Sequence, residues 1–329
     1  MSRDGLVLPP GRQGPGRMPA TAVARIDVAM RRRVAGVLPG EHRAPGAGAG
    51  TELAQLRPYE SGDDARRFDA AASARTGVLH VREHVPERAL TTWLVCDVSA
   101  SMGFGTALRL KSDVGEGVGD VVSLLAVRRG GRIGLVRCGG SRLLVLAPRG
   151  GRGAHARVRA ALREGVAPDA AGDRASVARR VAENVNLRDV FRHTPAAPAR
   201  SASLADALER VKRLATQPGL VVIVSDFRDA AGWQRPLRAL GARHELVAVE
   251  VGDPREGALP DAGELVVVDP ESGELVEVHT SDPGLRAAFE AAEFTRREEV
   301  AAALRGAGAQ HVSLSTDEEW LRALARRLR

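Results

Sequence analysis

From Thr91 onward the sequence alternates short apolar runs with amphipathic stretches, and no other feature constrains the fold as much. Residues 93–96, 132–138, 142–147, 220–224, 245–251 and 310–314 read as strands. Residues 107–128, 154–163, 204–214, 233–240, 284–305 and 317–328 carry helical periodicity. Residues 264–278 read as a hairpin around Asp269-Pro270-Glu271-Ser272-Gly273. Strands alternating with helices predict an α/β fold: a mainly parallel sheet with helices on both faces. The stretch 165–200 has little periodicity, and there is no internal repeat.

Ahead of this domain, residues 1–48 read as a basic Gly/Pro/Arg tail with one amphipathic helix at 21–38. Val23, Ile26, Met30, Val34 and Val37 share its apolar stripe. Residues 1–20 read as disordered and 39–50 as a linker. Residues 49–90 form a small β-rich segment with an alternating run at 78–85. Residues 91–329 form the α/β domain, with a hairpin insertion near 256–282.

The tail also explains the charge. The net charge is +7, but residues 1–48 hold eight Arg against Asp4, Asp27 and Glu41, so the body is nearly neutral. Aromatics make up only 3%, so no stacking platform accompanies the basic residues and no specific nucleic-acid partner is expected. The longest apolar runs fall far short of the ~20 residues of a membrane span. No apolar leader is visible, and two Cys make no disulfide framework, so the expected location is the reducing cytoplasm.

Ligands of open α/β sheets sit beyond the carboxyl ends of the strands, near the point where strand order reverses. Two predicted strand ends here carry acids. One runs into Asp97-Val98-Ser99-Ala100-Ser101, and the other ends in Ser225-Asp226. Asp97, Ser99 and Ser101 place three oxygens along one tight turn, and Asp226 adds a second carboxylate. Magnesium or manganese takes such oxygen sets while keeping several waters. Asp and Ser also cap helices where a strand turns into one, so spacing alone leaves both readings open.

The form Asp97-x-Ser99-x-Ser101 with a later strand-terminal Asp226 resembles the metal-ion-dependent adhesion site of von Willebrand factor type A-like domains. Further residues narrow the resemblance: Gly50-Thr51-Glu52-Leu53-Ala54-Gln55-Leu56-Arg57-Pro58-Tyr59, Ser61-Gly62-Asp63-Asp64-Ala65-Arg66, Ser73-Ala74-Arg75-Thr76-Gly77 and Glu87-Arg88. Ser101-Met102-Gly103-Phe104-Gly105, Lys111, Asp253-Pro254-Arg255-Glu256, Leu259-Pro260 and Asp269-Pro270-Glu271-Ser272-Gly273-Glu274 continue it. Together they are similar to the bacterial domain-of-unknown-function family fifty-eight, over residues 49–329. The resemblance implies a Rossmann-like A-type domain binding Mg2+ (or Mn2+) through Asp97, Ser99, Ser101 and Asp226. A partner protein's carboxylate would complete the octahedron. It further implies an adaptor or co-chaperone working with a MoxR-type AAA+ ATPase, or that enzyme's client, in protein maturation or complex assembly.

The chain departs from these patterns twice. Family members commonly read Ile-Asp-Trp where this chain has Phe68-Asp69-Ala70. A-type domains usually carry a Thr four residues before the position of Asp206, and here that residue is Ala202, between Ser201 and Ser203.

Other motifs carry less. His80-Val81-Arg82-Glu83-His84 matches an inverted zinc-protease string, but that motif needs a helix. On a strand its histidines lie ~13 Å apart, too far to share zinc. Residues 105–112 resemble a phosphate loop without its second Gly, in a segment whose amides the helical reading already uses. Gly115-x-Gly117-x-Gly119 follows no strand, Gly150-Gly151-Arg152-Gly153 reads as a surface turn, and Cys96 and Cys138 read as packing thiols.

No His lies near either acidic strand end in sequence, so no nucleophile–base pair is visible and the expected class is a non-enzyme. The alternatives are a metal-dependent hydrolase or phosphotransfer enzyme using Asp97, and a degenerate scaffold that no longer binds metal. The helical reading of 107–128 puts Lys111 well inside that helix, which argues against the enzyme.

Overall fold

The computed structural model describes residues 13–37, 52–61, 63, 68–85, 90–128, 130–165, 201–228, 232–268 and 275–328. The linker at 39–50, the unpatterned stretch from 166 to 200 and the hairpin tip at 269–274 lie outside them, as do residues 1–12 and the side chains of Val34 and Val37. The chain divides into two compact units, Met1–Leu38 with Leu90–Arg329, and Pro39–Ala89.

In the larger unit, α1 (Ala20–Val37) precedes β3 (Thr91–Asp97), α3 (Lys111–Arg128), β4 (Arg132–Cys138), β5 (Leu144–Arg149) and α4 (Gly151–Arg163). Then come α5 (Leu204–Leu214), β6 (Leu220–Ser225), α6 (Gln234–Gly241) and β7 (Glu245–Gly252). The hairpin β8 (Glu264–Val268) and β9 (Leu275–His279), α7 (Pro283–Gly306), β10 (Gln310–Ser315) and α8 (Trp320–Arg327) close the chain. Six strands form one sheet in the order β10-β7-β6-β3-β4-β5. All neighbours are parallel except the edge pair β4 and β5. The expected α/β fold is therefore present: a doubly wound, mostly parallel sheet with helices on both faces. The chain reverses its winding between β3 and β6, which puts Asp97 and Asp226 at the switch point.

Strand alternation sorts the core into two layers. Leu94, Cys96, Val222, Val224, Val249 and Val251 pack under α1, α3, α4 and α8. Trp93, Val95, Val221, Ile223, Leu246 and Ala248 pack under α5, α6 and α7. Both faces are covered, which is why β6 reads Leu-Val-Val-Ile-Val without polar interruption.

The amino-terminal segment corrects the tail reading. Residues 13–19 are not disordered but lie on this unit. The Gln13 and Gly14 amides donate to the Asp113 carboxylate at 3.1 and 2.9 Å. The Pro15 carbonyl accepts from Trp320 Nε1 at 2.9 Å and from Arg109 at 2.7 Å. Gly117 leaves room for this contact, because a Cβ there would come within 2.8 Å of Pro15 and closer still to Trp320. Ala22, Val23, Ile26, Ala29 and Met30 of α1 are buried in the same core layer. The sequence concealed this because two glycines and two prolines show no periodicity, and the segment is held through its backbone.

In the smaller unit, β1 (Glu52–Pro58) pairs antiparallel with β2 (His80–Val85), with α2 (Ala70–Thr76) between them in sequence. Residues 80–84 lie on a strand, as the zinc-protease string cannot. Asp69 caps α2 by accepting from the Ala72 amide at 2.8 Å. Phe68, two residues before Ala70, lies 5.3 Å from the ring of Tyr59.

Candidate functional site

The site is built on the carboxyl ends of β3 and β6 and on the turns that follow them. Asp97 closes β3. Its Oδ1 accepts from the Ser99 amide at 2.9 Å and its Oδ2 from the Ser225 hydroxyl at 2.7 Å. The Ser99 and Ser101 hydroxyls lie 3.1 Å apart. Gly139, at φ +92°, is required beside them, since a Cβ there would stand 2.2 Å from the Ser99 nitrogen. Asp226 follows β6 directly. The next residue, Phe227, has φ +52°, an uncommon conformation for a large side chain. It is held by the hydrogen bond its backbone N–H donates to Ser225 Oγ at 3.0 Å and by packing against Trp233 at 5.2 Å. The fold therefore brings all four sequence-predicted residues to one place.

It also brings a residue that the sequence reading set aside. The helix after β3 begins at Lys111, not at 107, and residues 104–110 form an irregular loop. Its amides are taken up individually: Thr106 donates to Asp253, Leu108 to the Thr316 carbonyl and Leu110 to Asp113. The phosphate-loop reading fails for this reason and not because the segment is helical. With the helix starting later, Lys111 lies at the site, so its expected place inside the helix no longer argues against the enzyme alternative. Its ammonium sits 2.7 Å from Asp226 Oδ2 and 2.5 Å from Glu256 Oε1, and the side chain is fully buried.

Glu256 is positioned by the short 3-10 turn after β7. Asp253 opens that turn, and the Glu256 carboxylate accepts the Asp253 amide at 3.0 Å. Asp253 itself accepts from Thr106, Arg255 and Thr316, fastening the loop after β3 to the end of β10. Arg228 bridges Glu256 and Glu293, and Glu293 also pairs with Arg296 and Arg297 of α7. An ion-pair chain thus leads from the switch point to α7.

The two strand-end acids differ electrostatically. Burial pushes the Asp97 carboxyl up to about 6, and the charge on Asp226 adds to this. Burial also acts on Asp226, but the Lys111 ammonium outweighs it, with hydrogen bonds from Lys111, Ser101 and the Arg228 amide, and holds that carboxyl below its ordinary range. Burial pushes the Cys96 thiol up to about 12, so it packs as an inert thiol.

These surroundings do not fit a resident Mg2+ or Mn2+. The obstacle is the buried Lys111 ammonium against Asp226, since each carboxylate oxygen accepts one hydrogen bond and keeps a second lone pair. Ala202 turns no hydroxyl toward the site, although its backbone pairs with Gly139 and Gly140. Of the two serines beside Ala202, either of which could supply the missing hydroxyl, Ser203 is spent in a capping box with Asp206. Among the described residues no three His, Cys, Asp or Glu side chains converge to hold a metal. The Ser101 hydroxyl donates to the Asp226 carboxylate, and two of the histidines are engaged elsewhere. His155 pairs with Asp120 and Ser123, and His311 with Glu250.

A protein from Mycobacterium tuberculosis, "Uncharacterized protein Rv1480", is 37% identical over 307 residues, 93% of this chain and 88% of that one. Two solved structures overlap loosely. BatB from Bacteroides thetaiotaomicron covers 72% of this chain and 96% of its own, at 12% identity and TM-score 0.39. The SpRpn10 VWA domain covers 72% of this chain and 93% of its own, at 11% identity and TM-score 0.34. The fold assignment rests on the strand order, not on these superpositions. The family model described as "Protein of unknown function DUF58" matches residues 55–299, and this chain belongs to that family.

Proposed function

We propose that this chain is a non-enzymatic protein-interaction module that binds its partner across the carboxyl end of the central sheet. One observation carries the reading. The cleft beside the switch point holds only about 140 Å3 and is lined by Asp226, Glu250, Glu256, Arg296 and Arg297. Small-molecule sites commonly enclose ~300–1,000 Å3 of largely apolar space. A shallow, charged surface suits another protein better than a substrate to be enclosed. Leu108, about half exposed on the loop after β3, supplies an apolar contact on the same end of the sheet.

Following the family resemblance, the partner proposed is a MoxR-type AAA+ ATPase or its client, in the cytoplasm. Two buried free thiols are compatible with that compartment, and no described helix is long and apolar enough to cross a membrane. The test measures binding of the full-length protein to a purified MoxR-type ATPase. Leu108→Asp and Arg297→Glu are each expected to weaken the complex about tenfold, with unchanged circular dichroism. A complex indifferent to both but lost on Tyr59→Ala would move the contact to the segment between Tyr59 and Arg75. No complex at micromolar concentration would remove the ATPase from the reading.

A further inference from the structure

The structure assigns the cation position of the strand-end acids to Lys111, so this site is complete without a divalent metal and becomes a metal site only when that ammonium is taken away. The inference stands apart from any partner and rests on three observations.

First, the Lys111 ammonium contacts two carboxylates from different strand ends, Asp226 at 2.7 Å and Glu256 at 2.5 Å, with no solvent exposure. A buried ammonium persists only with such pairing. A dication placed against Asp226 would have to displace it or share an enclosed space with it.

Second, Lys111 is the first residue of α3, where the helix dipole disfavours a cation. Local propensity therefore does not account for its presence, whereas the acids at the switch point do.

Third, 48 residues of the chain are basic and only Lys111 and Lys212 among them are Lys. A compact ammonium with three donors fits between carboxylates converging from separate strands, where the planar fork of Arg would not.

With Lys111 shortened or made apolar, Asp97, Ser99, Ser101, Asp226 and Glu256 are left as oxygen donors without the ammonium between them, and Arg228 remains on Glu256. That set matches the preference of Mg2+ and Mn2+.

The experiment titrates the full-length protein with Mn2+ and follows the resonance of the free ion. Wild type is expected to take up none at submillimolar Mn2+. Lys111→Met and Lys111→Ala are expected to bind about one ion per chain, at least about tenfold more tightly. Lys111→Met combined with Asp226→Asn is expected to lose that binding again. Stoichiometric submillimolar Mn2+ on wild type, abolished by Asp97→Asn, overturns the inference, as does a folded Lys111→Met that binds no more Mn2+ than wild type.

A second measurement needs no variant. Under native conditions an amine-reactive label should modify the exposed Lys212 and spare Lys111 equally in chelator and in Mg2+. Labelling of Lys111 that Mg2+ promotes would show that the metal displaces the ammonium and would also overturn the inference. If the Lys111 variants fail to fold, this labelling and the wild-type titration decide.

Discussion

Two buried charges stand two residues apart at the start of α3, and the fold satisfies them in opposite ways. Lys111 and Asp113 are both fully buried. Residues i and i+2 of a helix point about 200° apart, so the two serve different neighbours. Asp113 lies where the helix dipole favours an anion, and it accepts from the backbone amides of Gln13, Gly14 and Leu110. Lys111 lies where the dipole opposes it, and it takes two carboxylates. At this terminus the anion meets amides of the amino-terminal segment and of a turn, and the cation meets carboxylates from distant parts of the sheet. One helix terminus in this way anchors both the switch-point acids and the amino-terminal segment.

The comparison can be broken at its cationic side first. Lys111→Ala should lower unfolding free energy by about 3–5 kcal/mol, because it leaves buried carboxylates without their counterion. Adding Asp226→Asn should recover part of that loss, and chemical denaturation of the single and double variants measures both. Equal stability of wild type and Lys111→Ala would mean that the ion pairs hold nothing in place.

The anionic side is expected to be weaker. Removing residues 1–17 deletes the Gln13 and Gly14 donors and the Pro15 carbonyl that accepts from Trp320 and Arg109. The expected loss is about 2 kcal/mol, seen as a lower thermal midpoint. An unchanged midpoint would return this segment to the role of a solvated leader.

The smallest effect concerns pH. The folded-state pKa of Asp97, about 6, lies above its unfolded value, so the native state holds a proton that the unfolded state releases. The carboxylate is therefore unfavourable above pH 6, and its penalty fades as pH falls from 6 toward 4. Asp97→Asn lacks this term. The stability of the variant relative to wild type should drop by about 1 kcal/mol between pH 7 and pH 5. Parallel stability curves would show that Asp97 titrates as an ordinary carboxylate.

Most of the element map was legible because each element carries its own signal. Helix α5 spans the expected residues, and its capping box is written locally in Ser203 and Asp206. The main error fell at the start of α3. Leu108 and Leu110 continue a helical spacing in the sequence, yet Leu108 is exposed and the loop's amides bond to Asp253, Thr316 and Asp113. That shift of four residues hid Lys111. Two signals were available: Lys111 is among the residues that carry the family resemblance, and it is one of two Lys in a chain that otherwise uses Arg.

By itself the sequence determined the strands, most helix boundaries, the doubly wound class and the meeting of Asp97, Ser99, Ser101 and Asp226 at one sheet edge. Periodicity is local, and in such sheets strand ends converge by rule. Only the tertiary structure decided what faces those acids. Lys111 and Asp226 are 115 residues apart, and Lys111 and Glu256 are 145 apart. Neither pairing leaves a trace in local spacing. A buried ammonium finds its partners only once the strands carrying the acids are side by side and water has been excluded.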